Sequence, residues 1–311
     1  MPGERGVRIG LSAVVIALRD RRACVLTTPG DDGAAALPFG PFDPVRDRTF
    51  ELALRAFVTA QTGFHLGFVE QLYTFGDLGR ASPRATPGPE RRREVSVGYL
   101  ALTADAADAP SADARWTPLL DFFPWEDRRD GAPACLESVL AGLKAWAGDD
   151  PRRLARVETL FAPTPAQRWS ESRVLDRYEL LYEAGMVAEA ARDQDRPAPA
   201  NAPGRPMASD HRRILATGLG RLRSKLKYRP VLFDLMPATF TLSELQVAAE
   251  AVAGLSLHKQ NFRRGVERTG LVEPTGRLSA ATGGRPAELF RVVDGDLSGA
   301  ESLGLPLPAQ R

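Results

Sequence analysis

Residues Lys259 to Arg264 read K-Q-N-F-R-R and place cationic and amide side chains next to one another. Arginine and lysine neutralise phosphates or bond guanine, and glutamine or asparagine bonds adenine through two hydrogen bonds, so these residue types suit DNA recognition. If the run is helical, Phe262 and Val266 lie four residues apart on a buried face. A basic helical face is also a common solvated surface, and composition alone leaves both interpretations open. The candidate DNA-binding side chains are those of Lys259, Gln260, Asn261, Arg263 and Arg264.

The elements around this run are predicted to form a helix-turn-helix. The T-x-x-E spacing that starts at Thr241 is typical of a capping box and predicts a helix over about 242–253, which Gly254 ends. After the short turn L-S-L, a second helix is predicted from near Leu257 to about Thr269. This second helix carries the candidate donors, as a DNA-recognition helix would.

The stretch L-V-E-P-T-G-R-L-S-A-A-T-G-G-R-P-A-E-L-F-R-V has strand-like ends around a G-G-R-P loop and predicts a β-hairpin wing. Arg285 lies in that loop, where an arginine can enter a minor groove or bind phosphate. Together these elements predict a winged helix DNA-binding domain over residues 231–295, followed by a flexible tail over 296–311.

A second constellation lies upstream, in L-P-F-G-P-F-D-P-V-R-D-R-T-F-E-L-A-L-R-A-F-V-T-A-Q-T-G-F. This segment resembles the Nudix box, whose helix carries R-E-x-x-E-E before T-G. Aligned on the T-G pair, Ala56 and Phe57 stand at the Arg and Glu positions, and Ala60 and Gln61 stand at the two metal-binding Glu positions. Magnesium-assisted diphosphate cleavage needs closely spaced carboxylates, so we expect no catalytic residue, no metal and no cofactor.

Three carboxylates near this helix leave an alternative open. Glu51, Asp43 and Asp47 can approach a metal from other directions, which would make the protein a divergent Nudix hydrolase acting on ADP-ribose. One carboxylate per helical turn is also typical of a solvated face, and we favour that interpretation.

A cleft that binds a nucleotide without cleaving it would be lined by the loop after Phe39 and by Y-T-F-G-D-L-G-R. Tyr73 and Phe75 offer rings for a base, Asp77 can accept ribose hydroxyls, and Arg80 can bond a phosphate through two hydrogen bonds. Tyr73 and Phe75 also alternate along a strand, as core residues do, so the structural alternative remains.

The first 230 residues show the pattern of a sheet with helices. A strand V-R-I-G-L-S-A-V-V-I-A-L and a hairpin partner R-R-A-C-V-L-T-T-P come first. A helix is predicted over about 49–62, where apolar residues recur at helical spacing, namely Leu52, Leu54, Ala56, Phe57 and Ala60. V-E-Q-L-Y-T-F and E-V-S-V-G-Y-L-A-L-T are predicted to pair antiparallel, and W-T-P-L-L-D-F-F-P-W to lie in the core. A helical insertion is predicted over about 131–208, and a further helix from Asp210 to before Pro230 with a basic polar face.

Composition bounds the function only loosely. The chain has 311 residues, of which 43% are hydrophobic and 26% charged, enough for about two globular domains. A formal net charge of +2 means that any nucleic-acid surface must be local. Cys24 and Cys135 have no ligand or redox spacing, and the apolar N-terminal run is too short to span a bilayer, so we expect a cytoplasmic protein without a membrane segment.

Taken together, the motifs resemble the Nudix-related transcriptional regulators of NAD metabolism. F-T-L-S-E-L-Q, N-F-R-R and G-G-R-P-A-E-L-F-R carry the resemblance in the C-terminal part, and L-P-F-G-P-F-D-P, E-Q-L-Y-T-F-G-D and S-V-G-Y-L-A-L carry it upstream. The resemblance implies an α+β protein, a Nudix-like α/β/α sandwich with a mixed sheet followed by a winged helix-turn-helix. It further implies a homodimer that binds an inverted-repeat, double-stranded DNA operator as a repressor, with ADP-ribose or a related NAD-derived nucleotide as effector.

A further alternative is a protein-interaction module in which the winged helix contacts another protein. Neutralising Arg263 and Arg264 would abolish DNA binding while leaving fold and dimerisation intact, and this outcome separates the two hypotheses.

Overall fold

The structure, a computed structural model, describes residues 7–30, 33–77, 93–104, 113–162, 169–227, 229–279 and 286–293. Arg80, Arg285 and the predicted tail lie outside these residues. No helix within the described residues is long and apolar enough to cross a membrane. The strands of the first sheet are β1 (Val7–Arg19), β2 (Arg22–Pro29), β3 (Ala35–Ala36), β4 (Phe39–Pro41), β5 (Phe68–Phe75), β6 (Arg93–Leu102) and β7 (Arg115–Pro118). The helices up to the winged helix are α1 (Phe50–Thr62), α2 (Leu136–Ala147), α3 (Pro151–Phe161), α4 (Val174–Glu183), α5 (Ala188–Asp193) and α6 (His211–Lys225).

The sheet is mixed and has the strand order β3-β2-β1-β6-β5, with β4 paired to β1 and β7 to β2. β1 and β2 form the predicted antiparallel hairpin, closed by Asp20 and Arg21 with φ of 48° and 62°, as a two-residue hairpin turn requires. β5 and β6 pair antiparallel as predicted, and β1 and β6 pair parallel. The parallel pairing brings the first strand of the chain beside a strand that follows about eighty residues later, which no local pattern indicates.

Helices cover both faces of this sheet. One face, with Leu11 and Val15, packs against α1, and the other, with Val14 and Leu100, packs against α6 and the helices before it. α1 begins where the Thr49 side chain accepts from the Leu52 N–H and ends at a left-handed Gly63. Of the apolar residues whose spacing predicts this helix, Leu54 is fully buried, whereas Leu52 is 53% exposed.

The aromatic run before α2 lies in the core, as predicted. Phe122, Phe123 and Trp125 are fully buried in a cluster that extends from Val14 in β1 through α2–α6 to Phe262 in the last helix. One continuous core therefore connects the sheet, the helical segment and the winged helix.

The basic polar face predicted for α6 was wrong for three of its charges. Arg212 and Arg223 are fully buried and Lys225 is nearly so, because each meets a buried acceptor. Arg212, for example, donates to the carbonyl oxygens of Phe122 and Pro203 and pairs with Glu189.

The winged helix follows a short 3-10 segment at Val231–Leu235 and contains α7 (Leu242–Ala253), α8 (Lys259–Thr269), β8 (Val272–Leu278) and β9 (Glu288–Val292). The capping box at Thr241 is present, and Gly254 ends α7 in the left-handed region with φ of 70°. α8 begins two residues later than predicted, since Leu257 is buried in the turn. β8 and β9 form the predicted hairpin, and Phe240 forms an isolated antiparallel bridge with Phe290 of β9.

Candidate nucleic-acid interface and ligand cleft

The predicted DNA-binding run forms an amphipathic helix. Phe262 is 2% exposed and Val266 is fully buried, so these two side chains fix α8 to the core of the winged helix. Four of the five predicted donors lie on the exposed side of the helix, a surface that we call the α8 donor face. The exposed donors are Lys259, Gln260, Asn261 and Arg264.

Arg263 takes a different position from the other four. It is half-buried, and its Nη2 donates to the Oγ of Ser243 in the first turn of α7 at 3.0 Å. Arg263 therefore joins the two helices of the helix-turn-helix, and only part of its guanidinium can face DNA.

Two exposed arginines were missed by the sequence interpretation. Arg268 lies four residues after Arg264 on the same helix, and Arg277 lies on β8 beside the wing loop. The i, i+4 spacing was the available signal for Arg268. Arg285, the predicted wing arginine, lies outside the described residues.

The turn before α8 is held by two side chains of α7. Gln246 Nε2 donates to the Leu257 carbonyl oxygen at 2.9 Å, and Glu250 Oε1 accepts from the Leu257 N–H at 2.9 Å. The same Gln246 nitrogen lies 3.0 Å from Glu250 Oε1. The start of α8, and with it the α8 donor face, is thereby positioned on α7.

In the Nudix-like part, the residues that replace the usual carboxylates contact strand β4. Gln61 Nε2 donates to the Phe39 carbonyl oxygen at 2.7 Å, and the Phe39 N–H donates to Gln61 Oε1 at 3.3 Å. Phe57, one turn earlier, packs so closely over Gly40 that a Cβ there would lie 2.9 Å from its ring. Ala56 and Ala60 are exposed. This face of α1 thus holds β4 in place.

The three alternative carboxylates also have local partners. Asp43 Oδ1 accepts from the N–H of Val45 at 2.9 Å, and Asp47 Oδ2 accepts from the N–H of Asp43 at 2.8 Å. Glu51 pairs with Arg55 one turn along α1 at 2.8 Å. Among the described residues, no group of three or more His, Cys, Asp or Glu side chains is placed to hold a metal ion.

Phe39 lies against the face of the sheet that α6 covers, in a group we call the Phe39 cluster: Gly10, Phe39, Glu94 and His211. The Phe39 ring and the Glu94 carboxylate both approach Gly10, within 2.4 Å and 3.4 Å of the point where its Cβ would stand. The Phe39 and His211 rings are 5.7 Å apart. An aromatic ring can stack on a base, and a half-buried carboxylate beside it can accept a hydrogen bond from an amine or a hydroxyl of the same ligand.

The ionisation of the Phe39 cluster is set by burial. Burial raises the pKa of Glu94, against the opposing effect of Arg8 on the neighbouring strand. Burial also lowers the pKa of His211 to about 4, with a further contribution from the charge of Arg192. His211 Nδ1 accepts from the Leu37 N–H at 3.0 Å, so the proton of the neutral ring is on Nε2. Glu94 and His211 were missed because only the parallel β1–β6 pairing and the packing of α6 bring them to Phe39.

The other predicted ligand-binding residues of the described chain lie on strand β5 and just after it. Tyr73 is 64% exposed and its ring meets that of Phe75 at 5.6 Å, whereas Phe75 itself is only 3% exposed, as a core residue is. Asp77 forms an ion pair with Arg213, which also pairs with Asp210 at 3.1 Å and with Glu179 at 2.8 Å. Arg80 lies outside the described residues.

Comparison with known proteins adds to this geometry. Residues 232–292 match the family model of the NrtR DNA-binding winged helix domain. Over these residues, the C-terminal domain is similar to the NrtR winged helix. The ADPR responsive transcriptional repressor NtrR of Acinetobacter baylyi is 41% identical over 85 residues, which are 27% of this chain and 34% of the repressor. That match therefore spans about a third of the relative's length.

Several solved structures are similar to this fold over nearly the whole chain. NrtR of Shewanella oneidensis, crystallised with a 27mer DNA, aligns with a TM-score of 0.53 at 20% identity, covering 92% of this chain and 93% of that one. A MutT/nudix family protein from Enterococcus faecalis aligns with a TM-score of 0.53 at 15% identity, covering 94% and 89%. These likenesses confirm the predicted fold, an α+β chain with a Nudix-like domain followed by a winged helix. The resemblance to the NrtR type rests on the C-terminal matches to the winged helix family model and to the Acinetobacter baylyi repressor.

Proposed function

We propose that the protein is a ligand-responsive DNA-binding transcriptional regulator, a repressor of NAD biosynthesis or salvage genes. It acts in the cytoplasm as a homodimer on an inverted-repeat operator, since two-fold symmetry in a protein is matched by symmetry in its DNA site. ADP-ribose or a related NAD-derived nucleotide is the effector, bound by the Nudix-like domain.

The observation that carries this proposal is the α8 donor face on an NrtR-type winged helix. Lys259, Gln260, Asn261 and Arg264 stand exposed on a helix anchored by Phe262. Their amides and cations are the groups that read base edges and neutralise phosphates in a major groove. Arg263 supports the helix-turn-helix through Ser243 and contributes to DNA binding through the rest of its guanidinium, and Arg285 of the predicted wing is a further candidate DNA contact.

The effector assignment rests on chemistry at the Phe39 cluster and on the name of the Acinetobacter baylyi relative, an ADPR responsive repressor. Phe39 and Tyr73 offer rings for a base, and Asp77 and Arg80 offer an acceptor and a donor for ribose and phosphate. Phe75 supports the Tyr73 ring from the core.

We also propose that the Nudix-like domain does not hydrolyse its ligand. The side chains at the usual Glu positions, Phe57, Ala60 and Gln61, supply no carboxylate, and two of them hold β4. Release of AMP from ADP-ribose in the presence of magnesium, lost in Glu51→Gln, would contradict this part of the proposal.

The experiment is a footprint and a fluorescence anisotropy titration on the DNA upstream of the gene, with and without ADP-ribose. We expect protection of an inverted repeat, weaker binding with ADP-ribose, and an affinity that falls steeply with salt. Arg264→Gln should weaken binding several-fold and reduce the salt slope by about one phosphate contact. Arg152→Gln, an exposed arginine on α3, serves as the control. Absence of a specific complex at low salt, with and without ligand, would refute the proposal.

A further inference from the structure

A basic groove lies between α6 and strand β5, at the edge of the sheet. Its volume is about 430 Å³, and it is lined by Phe68, Val69 and Glu70 from β5 and by Arg221, Lys225 and Arg229. The three cations are spaced four residues apart, and the Arg229 N–H donates to the Lys225 carbonyl oxygen at 2.8 Å, which continues the helical turn. All three side chains therefore face the same groove.

The charges in this groove are unbalanced. Lys225 is only 6% exposed, its Nζ pairs with the Glu70 carboxylate, and it lies 5.8 Å from the centre of the Phe68 ring. Arg221 and Arg229 are exposed, and no carboxylate of the described residues lies within ion-pair distance of either guanidinium. One carboxylate thus meets one of three cations, and two guanidiniums remain open to a ligand.

The helix dipole explains only part of this arrangement of charges. Cations near a helix C-terminus are stabilised by the helix dipole, but like charges at i, i+4 repel one another by a few tenths of a kcal/mol per pair. Lys225 is nearly buried and already neutralises Glu70, while Arg221 and Arg229 line the same concave surface. An anionic ligand explains this excess of positive charge better. Guanidiniums bind phosphate oxygens through two parallel hydrogen bonds.

We propose that this groove binds a phosphate group through Arg221 and Arg229. The site is separate from the Phe39 cluster, because Arg221 lies ten residues along α6 from His211, about 15 Å along the helix axis. The phosphate can belong to a free phosphorylated ligand or to the backbone of bound DNA, and the chemistry of recognition is the same.

The test uses the full chain and inorganic pyrophosphate as the probe, titrated by isothermal calorimetry at low salt. The groove variant is Arg221→Gln/Arg229→Gln. A matched control, Arg152→Gln/Arg205→Gln, removes the same charge from exposed arginines elsewhere. Melting temperatures verify that both variants fold. A parallel titration with duplex DNA identifies the second source of phosphate.

Pyrophosphate affinity should fall about tenfold or more in the groove variant and little in the control, since a hydrogen bond to a charged group is worth about that much. If only the DNA affinity falls in this way, the proposal stands with DNA as the phosphate source. Equal affinities in the groove variant and the wild type for both probes, or an equal loss in the control, would overturn it. The pyrophosphate result does not depend on operator binding, so it separates this site from the proposed regulatory function.

Discussion

Arg223 Nη1 lies 2.6 Å from Glu126 Oε2, and the Nε of the same guanidinium donates to the Val252 carbonyl oxygen at 2.8 Å. Glu126 also accepts from Arg177 at 2.5 Å and 2.9 Å, and all three side chains are fully buried. One carboxylate therefore joins α4 and α6, and through Arg223 it reaches the last turn of α7. The winged helix is connected to the rest of the protein by buried polar groups as well as by apolar packing.

The backbone around Gly254 completes this junction. The Arg128 N–H donates to the Gly254 carbonyl oxygen at 2.8 Å, and a Cβ on Gly254 would lie 2.3 Å from the Glu126 carbonyl oxygen. The end of α7 thus lies directly on the segment that carries Glu126. A displacement of that segment or of α6 would move α7, and with it the turn that positions the α8 donor face.

The first prediction concerns Glu126. Burial alone would raise the pKa of this carboxyl, but the guanidiniums of Arg177 and Arg223 hold it below its ordinary value. Its stabilisation is therefore complete above the unfolded-state pKa of about 4.3 and is lost as the pH falls through the lower folded-state value. At neutral pH, Glu126→Gln leaves two buried cations without their counter-charge and should reduce the free energy of unfolding by about 3–5 kcal/mol.

Urea denaturation measures this loss, and the neighbouring residue provides the control. Asp127 pairs with Arg129 at 2.6 Å in a partly exposed position, so Asp127→Asn should cost no more than about 1 kcal/mol. Equal urea midpoints for the two variants would show that the buried cluster does not stabilise the junction.

The second prediction compares two glycines that end helices of the winged helix. Gly254 and Gly270 both have left-handed backbone, with φ of 70° and 64°, but a Cβ on Gly270 would meet open space. Gly270→Ala should cost about 1 kcal/mol for the backbone conformation alone. Gly254→Ala adds a clash with the Glu126 carbonyl and should cost about 2–4 kcal/mol in total. Thermal unfolding of the two variants measures the difference, and similar melting temperatures would mean that the α7 junction is not closely packed.

The third prediction is a pH dependence that arises from His211. Its folded-state pKa of about 4 lies below the ordinary 6.5, so between these values the unfolded chain binds a proton that the folded chain does not. Stability must therefore fall as the pH is lowered through this window, by about 2–3 kcal/mol at pH 4.5. His211→Asn keeps an acceptor for the Leu37 N–H and removes the titration. Urea unfolding at pH 7.5 and 4.5 should show a larger loss for the wild type than for this variant, and parallel losses would contradict the assignment.

Much of the fold could be predicted from local patterns. The capping box at Thr241, the glycine stop at Gly254 and the apolar pair Phe262 and Val266 each act over a few residues, and the structure confirms them. The same holds for the β1–β2 hairpin. Such signals are read from the sequence because the interactions that produce them are local.

The features that were missed depend on contacts far apart in the chain. Glu94 and Phe39 both approach Gly10 because β1 pairs in parallel with β6 and antiparallel with β4. Arg223 is buried where Glu126 accepts its hydrogen bond and balances its charge. The sequence around α6 shows a row of basic residues, which favours a solvated face in the absence of tertiary information. Whether an arginine is exposed or buried is decided by its acceptor, and that acceptor lies 97 residues away in the case of Arg223.

The fourth prediction separates two adjacent arginines of α8. Arg263 donates to Ser243 and is half-buried, whereas Arg264 is exposed. Arg263→Gln should reduce the free energy of unfolding by about 1–2 kcal/mol, because it removes a charged hydrogen bond between α7 and α8. Arg264→Gln should change stability by less than about 0.5 kcal/mol, as exposed substitutions do.

DNA titrations over a range of salt concentrations complete this comparison. Arg264→Gln should lower both the affinity and the salt slope, because it removes a freely exposed phosphate or base contact. Ser243→Ala removes the acceptor of Arg263 and leaves both arginines present, so it should reproduce part of the stability loss with little change in the salt slope. If Arg263→Gln and Arg264→Gln had the same effect on stability and on DNA affinity, the division of α8 into a helix-joining arginine and a DNA-facing arginine would be wrong.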